Sequence, residues 1–297
     1  MRRITHVPYK NREIAAAWIF TAPSLILLAC FMFYPMARAF ILSFHDSNLI
    51  NPNFTFSGLD NYIRLMKDDV FWQSLGHAFY FGAVVIPVQS AIAFALALLV
   101  QKKIRGIGFF RTVYFLPVVV SFVIASAIFR LIYNSEYGML NIVLRGLGWP
   151  RLDFLSNPDI AMIGIIVLGI WHATGYFMII FLAGLGQIPS DYYEAADTDG
   201  ASRTQKLLYI TLPLMKRTIA FVIVITTMDA LRIFIPVYVV TAGGPAGSTR
   251  TIVQFIYETA FHHMNLGYAL AAAFVYFTIV LVISVIQLRL FRSEVEY

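Results

Sequence analysis

Two ionisable residues stand where ionisable residues are expensive. Asp229 and Arg232 lie inside a predominantly apolar stretch, Ile219–Thr241. Spaced three apart on a helix they share a face and can pair. An ionisable group in such surroundings is a functional suspect by default, although a self-neutralising structural pair remains open beside a ligand-contacting one. The carboxylate only accepts hydrogen bonds. The guanidinium is a planar five-donor fork suited to a carboxylate, phosphate or sulfonate. Other apolar stretches supply Gln89, Trp171, His172, Tyr176, Tyr238 and Tyr276. Flat faces combined with hydrogen-bonding groups suit polyhydroxylated ligands, but each aromatic also reads as packing or as an interface anchor.

Other chemistries are missing. The chain has no Gly-x-x-x-x-Gly-Lys-Ser/Thr run and no Gly-Lys dipeptide, so nothing in it cradles nucleotide phosphates. Gly243-Gly244-Pro245 lacks the lysine and serine such a loop needs. No His-Glu-x-x-His occurs, and adjacent His262 and His263 read as solvated loop residues rather than as metal ligands. The single cysteine, Cys30, excludes an internal disulfide and a Cys-based zinc cluster. No catalytic set and no metal site is expected, and no nucleic-acid partner.

The elements that position these residues follow from composition. Of 297 residues, 59% are hydrophobic and 13% charged, where a soluble protein is about a quarter charged. A compact soluble fold could not bury so much apolar surface, so the solvent for much of the chain is lipid. The fold class is all-α, a polytopic membrane protein with six transmembrane helices near Ala15–Phe44, Ser74–Val100, Val113–Tyr133, Ile160–Leu185, Ile219–Thr241 and Tyr268–Phe291. The first apolar stretch is too long for a signal-peptide core of about 7–15 residues and reads as an uncleaved helix. With the N-terminus inside, the inner segments hold 14 Lys and Arg and the outer loops 5. That asymmetry puts both termini in the cytoplasm and the basic excess behind the net charge of +6 on the cytoplasmic loops. Pro23, Pro35, Pro87, Pro117 and Pro236 fall within spans. Each removes a helix hydrogen bond that neighbours must offset, which suits bent transporter helices. The expected organisation is residues 1–70 as N-terminus, first helix and outer loop, 71–291 as a five-helix core, and 292–297 as a cytoplasmic tail.

The segment between the fourth and fifth spans, 186–217, carries the most information. It contains Gln187-Ile-Pro-Ser-Asp-Tyr-Tyr-Glu194-Ala195-Ala196-Asp-Thr-Asp199-Gly200. Asp191 and Glu194 have capping-box spacing, and Gly200 suits a left-handed helix end. A second short helix follows, with Pro213 expected to stop it. The result is a helix–Gly–helix elbow with Ala195 and Ala196 as a small, smooth face. A bare connector would not need it, although an amphipathic hairpin on the headgroups is the plainer alternative.

Glu194-Ala195-Ala196, three residues, Gly200, nine residues, Ile210, one residue and Leu212-Pro213 resembles the EAA motif of ABC importer permeases at every signature position. Phe181–Pro189 and Thr241–Pro245 resemble the carbohydrate uptake branch, of the maltose and glycerol-phosphate type. The resemblance runs from about residue 15 to residue 291. It implies that the elbow is a coupling helix, docked on a separate ATPase subunit that holds ATP and Mg, with Glu194, Ala195, Ala196, Asp199, Gly200, Ile210, Leu212 and Pro213 transmitting its motion. It also implies a second homologous permease subunit, two ATPase subunits, an extracytoplasmic solute-binding protein, and alternating access for a sugar or sugar derivative. Candidate substrate contacts are Arg232, Asp229, Tyr176, His172, Tyr238 and Gln89, and Gly243, Gly244 and Pro245 form an outer-loop motif. A cation at 232 departs from the pattern and raises an anionic cargo beside a neutral one. An ion-coupled secondary transporter or channel using Asp229 and Arg232 is the alternative, although no inverted repeat is visible.

Overall fold

The computed structural model describes residues 9–48, 54–101 and 105–291. The 292–297 tail and Arg2, Arg3, Lys102, Lys103 and Arg292, which are expected on the inner side, lie outside the described residues. The helices are α1 (Tyr9–Leu28), α2 (Tyr34–Leu42), α3 (Asp60–Met66), α4 (Asp69–Val100), α5 (Ile107–Val119), α6 (Phe122–Ile132), α7 (Met139–Gly146), α8 (Pro158–Leu185), α9 (Ser190–Thr198), α10 (Arg203–Lys206), α11 (Leu212–Leu214), α12 (Lys216–Leu231), α13 (Ile252–Tyr257) and α14 (Leu266–Leu290). The described β structure is a two-stranded ribbon, β1 (His45–Asp46) antiparallel to β2 (Thr55–Phe56), and one isolated bridge between Asn48 and Asn265.

Two compact units divide the chain: Met1–Lys67 with Thr259–Phe274, and Asp68–Glu258 with Val275–Tyr297. In the first, α1 and α2 join through a π-helical turn, Ala29–Phe33, which immediately precedes α2, with Pro35 as the second residue of that helix. An i→i+5 turn absorbs the register change a proline forces on a helix. No residue of the most apolar window of Ala16–Leu42 is buried, as suits a helix solvated by lipid. Asn61 then fixes the chain beyond α2, its side-chain amide donating to the Ser43 and His45 carbonyls at 3.0 Å each.

The second unit is built on α4 and α8. Asp68 caps α4 by accepting from the Val70 and Phe71 amides, and Asn157 caps α8 with Pro158 at its first position. Phe81, Val85, Ile165 and Leu168 fill the centre of their packing with Ala230 and Ile233. Phe177, Phe181, Ala93 and Met215 form a second apolar cluster. α8 approaches α5 at Gly175, where an added Cβ would lie 2.9 Å from the Phe115 Cα and collide with the Tyr114 carbonyl. Only glycine permits that approach.

Among the described residues, four helical stretches are long and apolar enough to cross a membrane, and up to six if each bent helix pair is one span. Two expected spans are broken. The third is α5 and α6, meeting at 95°. Pro117 lies near the end of α5, and Val120 and Ser121 are extended between the helices. In the fifth, α12 stops at Leu231, and helical structure resumes just before a π-helical turn, Val237–Thr241. Pro236, which has no amide hydrogen to donate, lies in that restart.

Candidate functional site

The two breaks face one cavity. It measures about 70 Å³ and is lined by Phe122 from the first break, by Asp229, Ala230 and Ile233 from the second, and by Gln89 and Thr226 among the polar residues between them. His172 lines it from α8. Its ring stacks on Phe122 at 4.2 Å with 18° between planes. Its Nε2 lies 3.0 Å from the Val120 carbonyl. A carbonyl only accepts, so Nε2 carries a proton, and in the neutral ring Nδ1 is the acceptor. Gln89 is buried in α4 with its side chain at the cavity. Thr226 donates to the Val222 carbonyl at 2.8 Å.

Asp229 and Arg232 pair as their spacing predicts, at 3.0 Å, with Arg232 Nε also donating to the Met228 carbonyl at 3.1 Å. Their setting differs from the expectation. Arg232 is the C-cap of α12 rather than a residue inside a continuous helix. The Arg232 and Asp229 side chains are 70% and 56% exposed in this chain, respectively, and Arg232 does not line the cavity. Tyr176 packs edge-on against Phe177, and Tyr238 stacks on Phe234 at 5.4 Å; neither reaches the cavity. The structure thus brings together Gln89, His172 and Asp229 and leaves Tyr176, Tyr238 and Arg232 outside. Phe122 and Thr226 were missed. The available signal was Pro117, which marks a weak point just ahead of Phe122.

The elbow is formed by α9, α10, a π-helical turn at Leu207–Thr211 and α11. Its capping differs from the expected pattern. Pro189 occupies the N-cap of α9 with no side-chain bond, which places Asp191 inside the first turn rather than at the cap. The capping box belongs to α10, where Ser202 and Gln205 satisfy each other's backbone amides. Gly200 does adopt the left-handed conformation, with φ +75°. The Ala201 amide reaches the Ala196 carbonyl and the Gly200 amide the Asp197 carbonyl, the paired bonds of a Schellman end. Pro213 does not stop the second helix, which runs on to Leu214. The π turn ahead of it shifts the hydrogen-bond register, with the Leu212 amide donating to the Leu207 carbonyl.

Side chains hold the elbow closed. The Tyr193 and Thr211 hydroxyls lie 2.9 Å apart, and Lys206 pairs with Asp197. Glu194, Ala195, Asp199 and Gly200 remain exposed, Ala196 is half-buried, and α9 buries no residue fully. Ile210 and Leu212 are half-buried and Pro213 is exposed. The projecting face of α9 is therefore small, acidic at Glu194, and unfilled by this chain.

Gly243, Gly244 and Pro245 sit in a tightly bonded loop after the fifth span. Gly243 has φ +82° and lies against the Gln254 side chain, so no Cβ fits there. Thr249 meets Thr241 at 2.7 Å and donates to the Gly244 carbonyl at 2.7 Å. Buried Gln254 donates to Glu258, which pairs with Arg250 at 2.9 Å.

A family model described as the binding-protein-dependent transport system inner membrane component matches residues 89–294. The chain is 34% identical over 276 residues to the trehalose/maltose transport system permease protein of Thermococcus litoralis, covering 93% of this chain and 92% of that one. It is 36% identical over 283 residues to the lactose transport system permease protein of Rhizobium radiobacter, covering 93% and 94%. It also superposes, with a TM-score of 0.84, on a chain of a bacterial ABC transporter involved in the import of the acidic polysaccharide alginate, covering 96% of this chain and 99% of that chain. At 23% identity that likeness is one of fold. These matches set aside the ion-coupled alternative for Asp229 and Arg232. Because the family match runs through the helix breaks and the elbow alike, the chain belongs to the binding-protein-dependent transport system inner membrane components: it is a multi-pass membrane permease subunit of an ABC importer, and not a catalytic enzyme.

Proposed function

We propose that this permease carries a sugar or sugar derivative inward by alternating access, and that the cavity between the two helix breaks is its share of the substrate path. The observation that carries this reading is the meeting of Gln89, His172 and Asp229 beside the flat Phe122 ring. Asp229 and His172 Nδ1 offer acceptors for sugar hydroxyls, Gln89 offers both donor and acceptor, and Phe122 offers an apolar face. The named relatives, permeases for trehalose/maltose and for lactose, support the same class.

A volume of about 70 Å³ is well below the roughly 300–1,000 Å³ of a typical ligand site. In this reading a second, homologous permease subunit completes the chamber. Two ATPase subunits hold ATP and Mg, and α9 docks on one of them through Glu194, Ala195, Ala196 and Gly200. A preformed, capped helix suits that task because little motion is lost in bending it. Both termini and the elbow then lie in the cytoplasm. The loop at Gly243, Gly244 and Pro245 faces the solute-binding protein on the other side.

A second reading concerns charge. Arg232 uses Nε and one Nη internally and is otherwise not covered by this chain, so its remaining donors suit an anionic substituent. Uptake into proteoliposomes containing both permeases, the ATPases and the binding protein tests both readings, with maltose, trehalose, lactose and galacturonate as probes. Vanadate-sensitive uptake of a neutral probe supports the first reading. Uptake confined to galacturonate supports the second. Uptake that survives ATP depletion and is abolished by an ionophore overturns both.

A further inference from the structure

The break in the fifth span leaves carbonyls that no helix amide takes up, and a membrane interior offers little water to replace the missing donors. Two of these carbonyls have side-chain donors from elsewhere in the chain. The Tyr276 hydroxyl, from α14, donates to the Leu231 carbonyl. The Thr251 hydroxyl, just ahead of α13, donates to the Ile233 carbonyl at 3.0 Å. Thr251 is completely buried and Tyr276 is 7% exposed. Between the two clamped carbonyls lies Arg232, and on either side lie the cavity residues Ala230 and Ile233.

We infer that Thr251 and Tyr276 are positioning residues that hold the broken segment of the fifth span in the shape that forms the substrate wall. The inference rests on the cavity being the substrate site. Neither residue touches the cavity, so both act through the backbone they hold. Thr251 also joins the wall to the loop that follows the fifth span. The adjacent Arg250 carbonyl lies 3.0 Å from His77 Nδ1, and the Arg250 side chain pairs with Glu258. A shift of that loop would therefore be felt at Ile233 through one hydrogen bond.

The test uses the assembled transporter in lipid nanodiscs and two readouts. Hydrogen exchange of the amides in residues 231–238 should speed up by about tenfold in Thr251→Val and in Tyr276→Phe, the scale of one lost buried hydrogen bond. Thr251→Ser, which keeps the hydroxyl, should restore the wild-type rate. In proteoliposomes the half-saturating concentration of a transported probe (maltose, lactose or galacturonate) should rise by about tenfold in the first two variants, with the maximal rate within about twofold. Wild-type exchange in both variants at normal abundance overturns the inference, as does an accelerated rate in Thr251→Ser equal to that in Thr251→Val. Should one variant not assemble, the other decides. Faster exchange with unchanged half-saturation, while Asp229→Asn does shift it, rejects the positioning role alone. Unchanged half-saturation in Asp229→Asn as well rejects the cavity as the substrate site.

Discussion

The hydroxyls of Tyr193 and Thr211 meet at 2.9 Å, fastening the middle of the α9 helix to the π-helical turn that precedes Pro213. Thr211 in turn donates to the Lys206 carbonyl at 3.3 Å, and Lys206 pairs with Asp197 on α9. In the proposed coupling role, force applied to the exposed face of α9 would reach the root of α12, the helix that ends at the cavity, through these contacts. Tyr193→Phe should retain assembly while lowering the sugar transported per ATP hydrolysed, because one bond of about 1 kcal/mol is lost from the linkage. Parallel uptake and ATPase measurements in proteoliposomes check this.

Gly200 ends α9 in a left-handed conformation with open space around it. A side chain there meets no clash, so the penalty comes from backbone geometry, about 1–2 kcal/mol. A β-branched residue suffers most. Gly200→Val should tilt or fray the elbow and separate ATP hydrolysis from uptake, whereas Gly200→Asn should be much milder. Substrate-stimulated ATPase and uptake, compared at equal membrane abundance, distinguish the two.

Gly175 makes a different prediction, since it concerns space. Gly175→Ala would press a methyl group into the α5 backbone at Tyr114 and Phe115. The overpacking should destabilise the protein by about 1–3 kcal/mol. It should also lower the thermal midpoint of the detergent-solubilised transporter, with Gly76→Ala, where nothing lies within 4 Å, as the control.

Asp153 sets a pH dependence. A hydrogen bond from Ser135 holds its carboxyl below the usual range, with Arg151 nearby adding to the effect. A carboxyl depressed in the folded state stabilises the protein above its unfolded value of about 3.9, and that stabilisation is lost as pH falls through the folded value. Between about pH 5 and pH 3 the thermal midpoint should therefore fall less steeply in Asp153→Asn than in wild type. Parallel slopes would refute the assignment.

Much of this architecture was legible in the sequence because lipid imposes a simple rule on composition. Long apolar stretches located α4, α8 and α14, and Gly200 marked the end of α9. The helix breaks were not legible in the same way. Pro117 and Pro236 showed where the hydrogen-bond ladder was weak. The breaks are held, however, by His172 on Val120, Thr251 on Ile233 and Tyr276 on Leu231, at separations of 52, 18 and 45 residues. Local pattern carries no trace of such partners. The capping box shows a subtler ambiguity: Asp191/Glu194 and Ser202/Gln205 share one spacing, and Pro189 at the N-cap of α9 decides between them.

In the proposed transport cycle the cavity between the helix breaks receives the sugar. The most direct measurement is the concentration dependence of ATP-driven uptake by Asp229→Asn and Gln89→Ala in the fully assembled transporter. Asp229→Asn exchanges a carboxylate acceptor of the wall for an amide donor and Gln89→Ala removes a polar side chain, so the half-saturating sugar concentration should rise by about tenfold. A wild-type concentration dependence in both variants, at normal membrane abundance, would contradict the claim and move the substrate elsewhere in the chain.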